Sequence, residues 1–241
     1  MQNVISQEQL CEKIIATLGE SITKEEIKSC LKGLEIIEPK VTKLFWQAES
    51  AKPGIFIVLA GKARLLDDAD NLIATVTYGE SFIEQSLFPE ENYINFAARA
   101  STGLKICYLN GEIIHKLIVK SPQIREHLRL RAEFWDMLLS CRQNSQIPRI
   151  SSTEKIFKAL CLFERCNIEP GESTNKLFKD NQLLLLRRGQ LKNAANRTLT
   201  AGNIYTDTDI DGKWEVTQPT IAYSLKSDNL SKALEEWEDL R

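Results

Sequence analysis

The chain has 241 residues, enough for one large domain or two small ones. Its 43% apolar and 27% charged content is that of a globular protein and excludes a chain too polar to order itself. With 31 lysines and arginines against 33 aspartates and glutamates, the formal charge is −2, so bulk electrostatics draws the chain neither to nucleic acid nor to anionic lipid. The longest apolar run, Ile55 to Ala60, falls far short of the ~20 residues of a membrane helix, and residues 1–9 carry no basic-then-apolar signal. A soluble, cytoplasmic protein without direct membrane insertion is expected.

In chain order, Ser6 with Gln9 and Thr23 with Glu26 are two S/T-x-x-E/Q capping boxes, each standing before apolar residues at helical spacing, and they predict two short helices within residues 1–34. From Glu35 to Leu109 the pattern turns to short apolar runs parted by turn residues: Gly54–Leu59, Ala63–Leu66 and Leu72–Thr77, with Gly61, the acidic stretch 67–71 and Gly79 between them. Many short strands at this spacing predict a sandwich or jelly roll. Ser121 and Pro122 then start a long amphipathic helix that reaches Cys141, with Ile124, Leu128, Phe134, Trp135, Leu138 and Leu139 on a recurring face. Residues 142–152, rich in Gln, Asn and Ser, read as a linker.

Beyond the linker the chain repeats itself. Residues 167–170 match 36–39, 184–189 match 56–61, 198–202 match 75–79 and 220–225 match 104–109, with the offset shrinking from 131 to 128, 123 and 116 residues. Stepwise shrinkage is what a duplicated fold with shortened loops gives, and the largest loss falls between Gly79 and Leu104. Residues 153–241 are therefore expected to form a second, shorter jelly roll.

The run Gly54 to Leu66, followed by Leu72–Val76, Gly79 and Ser81-Phe82-Ile83-Glu84-Gln85-Ser86-Leu87, resembles the cyclic nucleotide-binding domain, and the helix–β–helix order over residues 6–141 agrees with it. The resemblance implies a mainly β fold with flanking α, and two cyclic-nucleotide-binding-like jelly rolls in tandem: 35–141 with its closing helix, and a degenerate 153–241. Residues 214–225 are similar to the second of two such domains that precede the peptidase and membrane segments of some bacterial ABC exporters, which makes exporter domains, or another protein, the implied partner.

In that family a Phe-Gly-Glu start and a later Arg-Ala pair hold the cyclic phosphate and ribose. The corresponding ligand-binding residues here are Phe82, Ile83, Glu84, Ser86 and Leu87, with Ile94 at the arginine position. Glycine would allow close backbone approach and arginine would pair with phosphate, so Ile83 and Ile94 remove both functions. Losing one side of such a charged pair costs ~2–5 kcal/mol, so high-affinity cyclic nucleotide binding is not expected. Arg99 is the nearest other cation, five residues late and inside the next predicted strand.

Other chemistry is thin. Asp207, Asp209 and Asp211 spell the opening of a calcium loop, but Gln218 stands where the closing bidentate Glu belongs, so an Asp-Gly hairpin is the expectation and no metal is assigned. His115 and His127 have no carboxylate or Cys placed to form a relay, and the six cysteines, without a C-x-x-C pair, read as reduced buried thiols. No phosphate loop, dinucleotide turn or nucleophile elbow is present. The expectation is a non-catalytic regulatory, sensory or docking module with no cofactor and no nucleic-acid partner. Two alternatives are a switch that binds a small anionic ligand, and a transcription regulator of the catabolite-activator type, which would need a helix-turn-helix after residue 141.

Overall fold

The computed structural model describes residues 6–47, 52–91, 93, 95–143, 153–178, 181–206, 208–210 and 212–236. The chain divides into two compact units, Met1–Trp135 and Asp136–Arg241. Residues 144–152 of the expected linker lie outside the described residues.

In the first unit, α1 (Gln7–Leu18) and α2 (Lys24–Lys32) start at the two boxes read from the sequence. Ser6 Oγ accepts from the Gln9 amide at 3.2 Å while the Gln9 side chain accepts from the Ser6 amide at 3.0 Å, and Thr23 and Glu26 repeat the exchange at 3.3 and 2.8 Å. Each pair satisfies two otherwise orphaned amides.

The β region follows as β1 (Leu34–Ile37), β2 (Leu44–Gln47), β3 (Gly54–Ala60), β4 (Ala63–Leu66), β5 (Leu72–Val76), β6 (Ser81–Phe82), β7 (Ala97–Ala100) and β8 (Lys105–Asn110). These pair antiparallel into two four-stranded sheets, ordered β1-β8-β3-β6 and β2-β7-β4-β5. The apolar run that dominates the sequence is β3, and its continuity has a simple cause. Ile55, Ile57 and Leu59 join one core cluster with Ile14, Leu18, Ile114 and Leu128 of the helices, whereas Phe56, on the other face, meets Phe82 and Tyr108 with ring centroids 5.3 Å away in each case. Both faces of the strand are covered, so neither face is polar. Burying a side chain such as Ile57 completely contributes about 1.5–3 kcal/mol. α3 (Gly111–Lys120) and the 22-residue α4 (Pro122–Gln143) close this unit, and α4 runs on into the second.

The second unit opens with α5 (Thr153–Leu160), followed by β9 (Glu164–Ile168), the short α6 (Asn175–Phe178), β10 (Asn181–Asn193), β11 (Thr198–Thr200), β12 (Asn203–Thr206), β13 (Trp214–Lys226) and α7 (Ser227–Glu236). Its strands form one antiparallel sheet ordered β11-β10-β13-β9, with β12 also on β10. Leu184, Leu186, Leu191, Leu199, Trp214 and Val216 make its core. Asp136 and Arg187, both buried, form an ion pair inside this unit.

The molecule as described is mainly β with flanking helices, and its sheets are antiparallel. No described helix is long and apolar enough to cross a membrane. The expectation of buried thiols holds for Cys30 and Cys107, at 1% and 0% exposure, but Cys161 is exposed and Cys11 and Cys166 are half-buried. Cys161 stands directly after α5, which ends at Leu160.

Candidate functional site

The cassette read from the sequence begins at the end of β6. Ile83 sits at φ +71°, ψ 14°, a left-handed conformation that costs an L-residue about 1–2 kcal/mol and is most unusual for a β-branched side chain. The backbone therefore turns as a glycine would, while the isoleucine side chain fills the adjoining space at 0% exposure. Next come a 3-10 turn, Glu84–Leu87, and a second, Pro89–Glu91.

Glu84 is the centre of this region and is fully buried. The Ser81 hydroxyl donates to its Oε1, and Arg131 of α4 donates to the same oxygen through Nε at 3.1 Å. A carboxylate in this setting is held by the protein's own donors, and the ion pair ties the closing helix to the cassette. Oε2 has no hydrogen-bond partner among the described residues. His127, one turn before Arg131 on α4, packs its ring 3.4 Å from where a Cβ on Gly19 would lie. Burial holds its pKa below the ordinary histidine value, with the Arg131 charge adding to that effect and Glu84 and the carbonyls of Thr17 and Ala16 opposing it.

The remaining sequence-predicted residues scatter. Ser86 accepts from the Gly54 amide at 3.0 Å and donates to the Gly54 carbonyl at 3.1 Å, so its hydroxyl fastens the 3-10 turn to the start of β3. Leu87 belongs to the core cluster shared with the helices, and Phe82 packs against Phe56 and Phe45 inside the roll. Ile94 lies outside the described residues. Arg99 is not brought to Glu84. On β7 its neighbours Ala98 and Ala100 are buried at 0% and 2%, so strand alternation turns Arg99 to the other face, opposite exposed Arg64 and 3.0 Å from Asp70. The idea that Arg99 replaces the missing phosphate partner therefore gives way to a surface ion pair.

Arg131 and Ser81 are the site residues that the sequence reading missed. Arg131 stands 47 positions from its partner, and only the helical face it shares with Ile124 and Leu128 hints at its direction.

Of the aspartate-rich turn, Asp209 is described. Asp209 uses its carboxylate on the Thr206 amide at 2.9 Å and the Thr206 hydroxyl at 2.8 Å, and the backbone bond holds its pKa below the usual carboxylate value. Asp207 and Asp211 lie outside the described residues, and no group of three or more potential metal ligands occurs among the described ones.

A groove of about 1090 Å³, here termed the outer groove, is lined in part by Ser86 and Leu87 but not by Phe82, Ile83 or Glu84.

No family model matches the chain, and no curated protein matches it. Among solved structures it is similar to the regulatory subunit of a cAMP-independent protein kinase A from Trypanosoma cruzi bound to guanosine, at 12% identity and a TM-score of 0.46 over 98% of this chain and 88% of that one. It is also similar to the regulatory domain of Toxoplasma gondii protein kinase A with cAMP, at 11% identity and TM-score 0.45 over 97% and 94%. The sensor domain of the transcriptional regulator DNR from Pseudomonas aeruginosa matches 51% of this chain and 90% of its own, at 9% identity and TM-score 0.44. At these values the likenesses decide nothing about what the chain binds.

Proposed function

We propose that the chain is a non-catalytic regulatory or docking module of two cyclic-nucleotide-binding-like units in series, whose first unit is closed by its own side chains and takes no cyclic nucleotide with high affinity. The observation that carries the reading is the state of Glu84. A carboxylate that is to accept from a ribose hydroxyl must offer a lone pair to the ligand. Here it is fully buried, and its bonded oxygen is already shared by Ser81 and Arg131. Displacing Arg131 would leave a buried charge unpaired, at a cost of about 3–5 kcal/mol, and Ile83 fills the approach that a glycine would leave open.

What supports two copies is the strand register. Phe56 pairs with Tyr108 and Leu184 with Ser224; Ala63 pairs with Val76 and Leu191 with Leu199; Ala63 pairs with Ala100 and Leu191 with Val216. These pairs are related by the sequence offsets of 128, 123 and 116 residues. The Gly79 amide donates to the Val58 carbonyl as the Gly202 amide does to Leu186, both glycines at positive φ. The first offset differs by two residues: Glu35 faces Tyr108 as Glu164 faces Ser224, which gives 129 in place of 131. Regulation of an exporter stays part of the proposal as the partner implied by the resemblance of residues 214–225.

A ligand switch is the second reading, favoured by the unpartnered Oε2 of Glu84, which would welcome a hydroxyl donor. The transcription-regulator alternative has less support, because α5 leads straight into β9 and no pair of adjacent helices follows it among the described residues. Calorimetric titration of the full chain with cyclic AMP and cyclic GMP separates these readings. Absence of saturation through the micromolar range is expected, and a dissociation constant in the low micromolar range overturns the closed-site reading.

A further inference from the structure

We propose that the outer groove of the first unit is a binding site for an amphipathic anion: a carboxylate or phosphate ester carrying an apolar body. At about 1090 Å³ the groove slightly exceeds the ~300–1,000 Å³ of pockets that hold drug-sized molecules, so it has room for one. Its wall combines two chemistries. Leu87, Phe88, Pro53, Ile118 and Val119 supply apolar surface, and Val119, 70% exposed, is the most exposed of the large apolar residues described. Lys52, Lys116 and Arg125 supply cations, and none of the three has a carboxylate within 4.0 Å among the described residues.

Charge decides which amphiphile fits. Three lysine and arginine side chains face the groove against Glu90 and Glu112. The first residues of α3 and α4, Gly111 and Pro122, also line it, so the positive ends of a 10-residue and a 22-residue helix add to the same potential. Glu112 stands one turn from Lys116 on α3 yet forms no ion pair with it, which leaves the ammonium available to an incoming anion. An anionic head would settle among Lys116, Arg125 and Lys52, with its apolar body over Val119 and Phe88. The site is independent of the closed-cassette reading, because Phe82, Ile83 and Glu84 take no part in it.

The test is a titration of the full chain with dodecanoate and dodecyl phosphate, both below their micellar concentrations, with dodecanol and dodecyltrimethylammonium as neutral and cationic counterparts. Saturable binding of both anions at micromolar concentration is expected, at least tenfold tighter than either counterpart and weakening as salt is raised. Lys116→Glu with Arg125→Glu, and separately Val119→Asp, should each weaken anion binding tenfold or more. These side chains are exposed, so the melting temperature should stay at the parent value. Equal binding of all four amphiphiles, unchanged binding in the groove variants, or adsorption only to vesicles of anionic lipid without uptake of the monomers overturns the proposal. Because cyclic nucleotides are absent from the titration, its outcome leaves the reading of Glu84 untouched.

Discussion

Replacing Arg131 with methionine tests whether the closing helix is held by the cassette's own carboxylate. The substitution keeps the aliphatic stem and removes the guanidinium, so packing changes little while Glu84 loses its charged partner. Glu84 is fully buried and the Arg131 side chain is 18% exposed, so solvent screens the pair weakly. Removing one member of such a pair typically costs about 3–5 kcal/mol, and here only the Ser81 hydroxyl would remain on the stranded carboxylate. At about 2–4 °C per kcal/mol for a domain of this size, the thermal transition should fall by roughly 6–20 °C.

The double variant Glu84→Leu, Arg131→Met removes both charges and should melt close to the parent protein, because a buried ion pair and an apolar pair of similar volume are nearly equivalent in stability. A double-mutant cycle over the parent, the two single variants and the double variant, read by urea or thermal unfolding, isolates the coupling. A loss under about 1 kcal/mol in Arg131→Met, with additive single and double variants, would refute the reasoning. Amide exchange supplies the dynamic counterpart: protection across residues 122–135 should fall in Arg131→Met and return in the double variant.

Three further outcomes follow from the same region. Ile83→Gly relieves the left-handed strain of about 1–2 kcal/mol and Ile83→Ala does not, so the glycine variant should be the more stable of the two by about 1 kcal/mol despite its smaller side chain; the reverse order in unfolding experiments would show that Ile83 is unstrained. His127, with its pKa depressed by burial, binds its proton more weakly in the folded than in the unfolded chain; stability is therefore complete above the unfolded value near 6.5 and lost as the pH falls below it, and His127→Gln should flatten that part of the pH–stability curve. Burial pushes the Cys30 thiol up to about 11 and Cys107 up to about 12, so a thiol reagent at neutral pH should label exposed Cys161 first and reach the other two only on unfolding, and rapid labelling of Cys107 in the native protein would contradict its placement in the core.

The legible part of the fold was local. Both capping boxes form where the spacing puts them, since the exchange of two hydrogen bonds across three residues needs no tertiary help. The strand runs of the first unit are also real, because pairing within a sheet demands alternation or, for β3, apolar side chains on both faces. Long-range chemistry was not legible. Glu84 reads as a ligand residue from its neighbours in sequence, and nothing within ten positions announces that an arginine 47 residues on will occupy it. Arg99 lay within reach of a finer reading, yet Ala97, Ala98 and Ala100 beside it are equally small and hide which face of β7 is inward. The buried Asp136–Arg187 pair left no trace in the pattern, because its members stand 51 residues apart.

On the proposed duplication, the strand registers also say how a shortened copy keeps a full core. Ala98 faces Leu65 in the first unit, and by the same offsets Trp214 faces Asn193 in the second. The first unit closes that place with an alanine at 0% exposure and spends a long connection, residues 83–96, on two 3-10 turns. The second has a shorter connection between β12 and β13, and the residue at that place, Trp214, is a buried indole. The indole Nε1 donates to the Ile210 carbonyl at 2.9 Å, and the backbone carbonyl of Trp214 accepts from buried Thr174 at 3.1 Å. The Arg197 guanidinium lies 5.8 Å over the ring, and Phe178 packs 6.5 Å away. Among the described residues the polar groups of Trp214 are therefore paired and its ring is packed, as in a close-packed core. The proposed ligand-binding features lie in the first unit, where Glu84 keeps one unpartnered oxygen and the groove lined by Lys52, Lys116 and Arg125 keeps its cations.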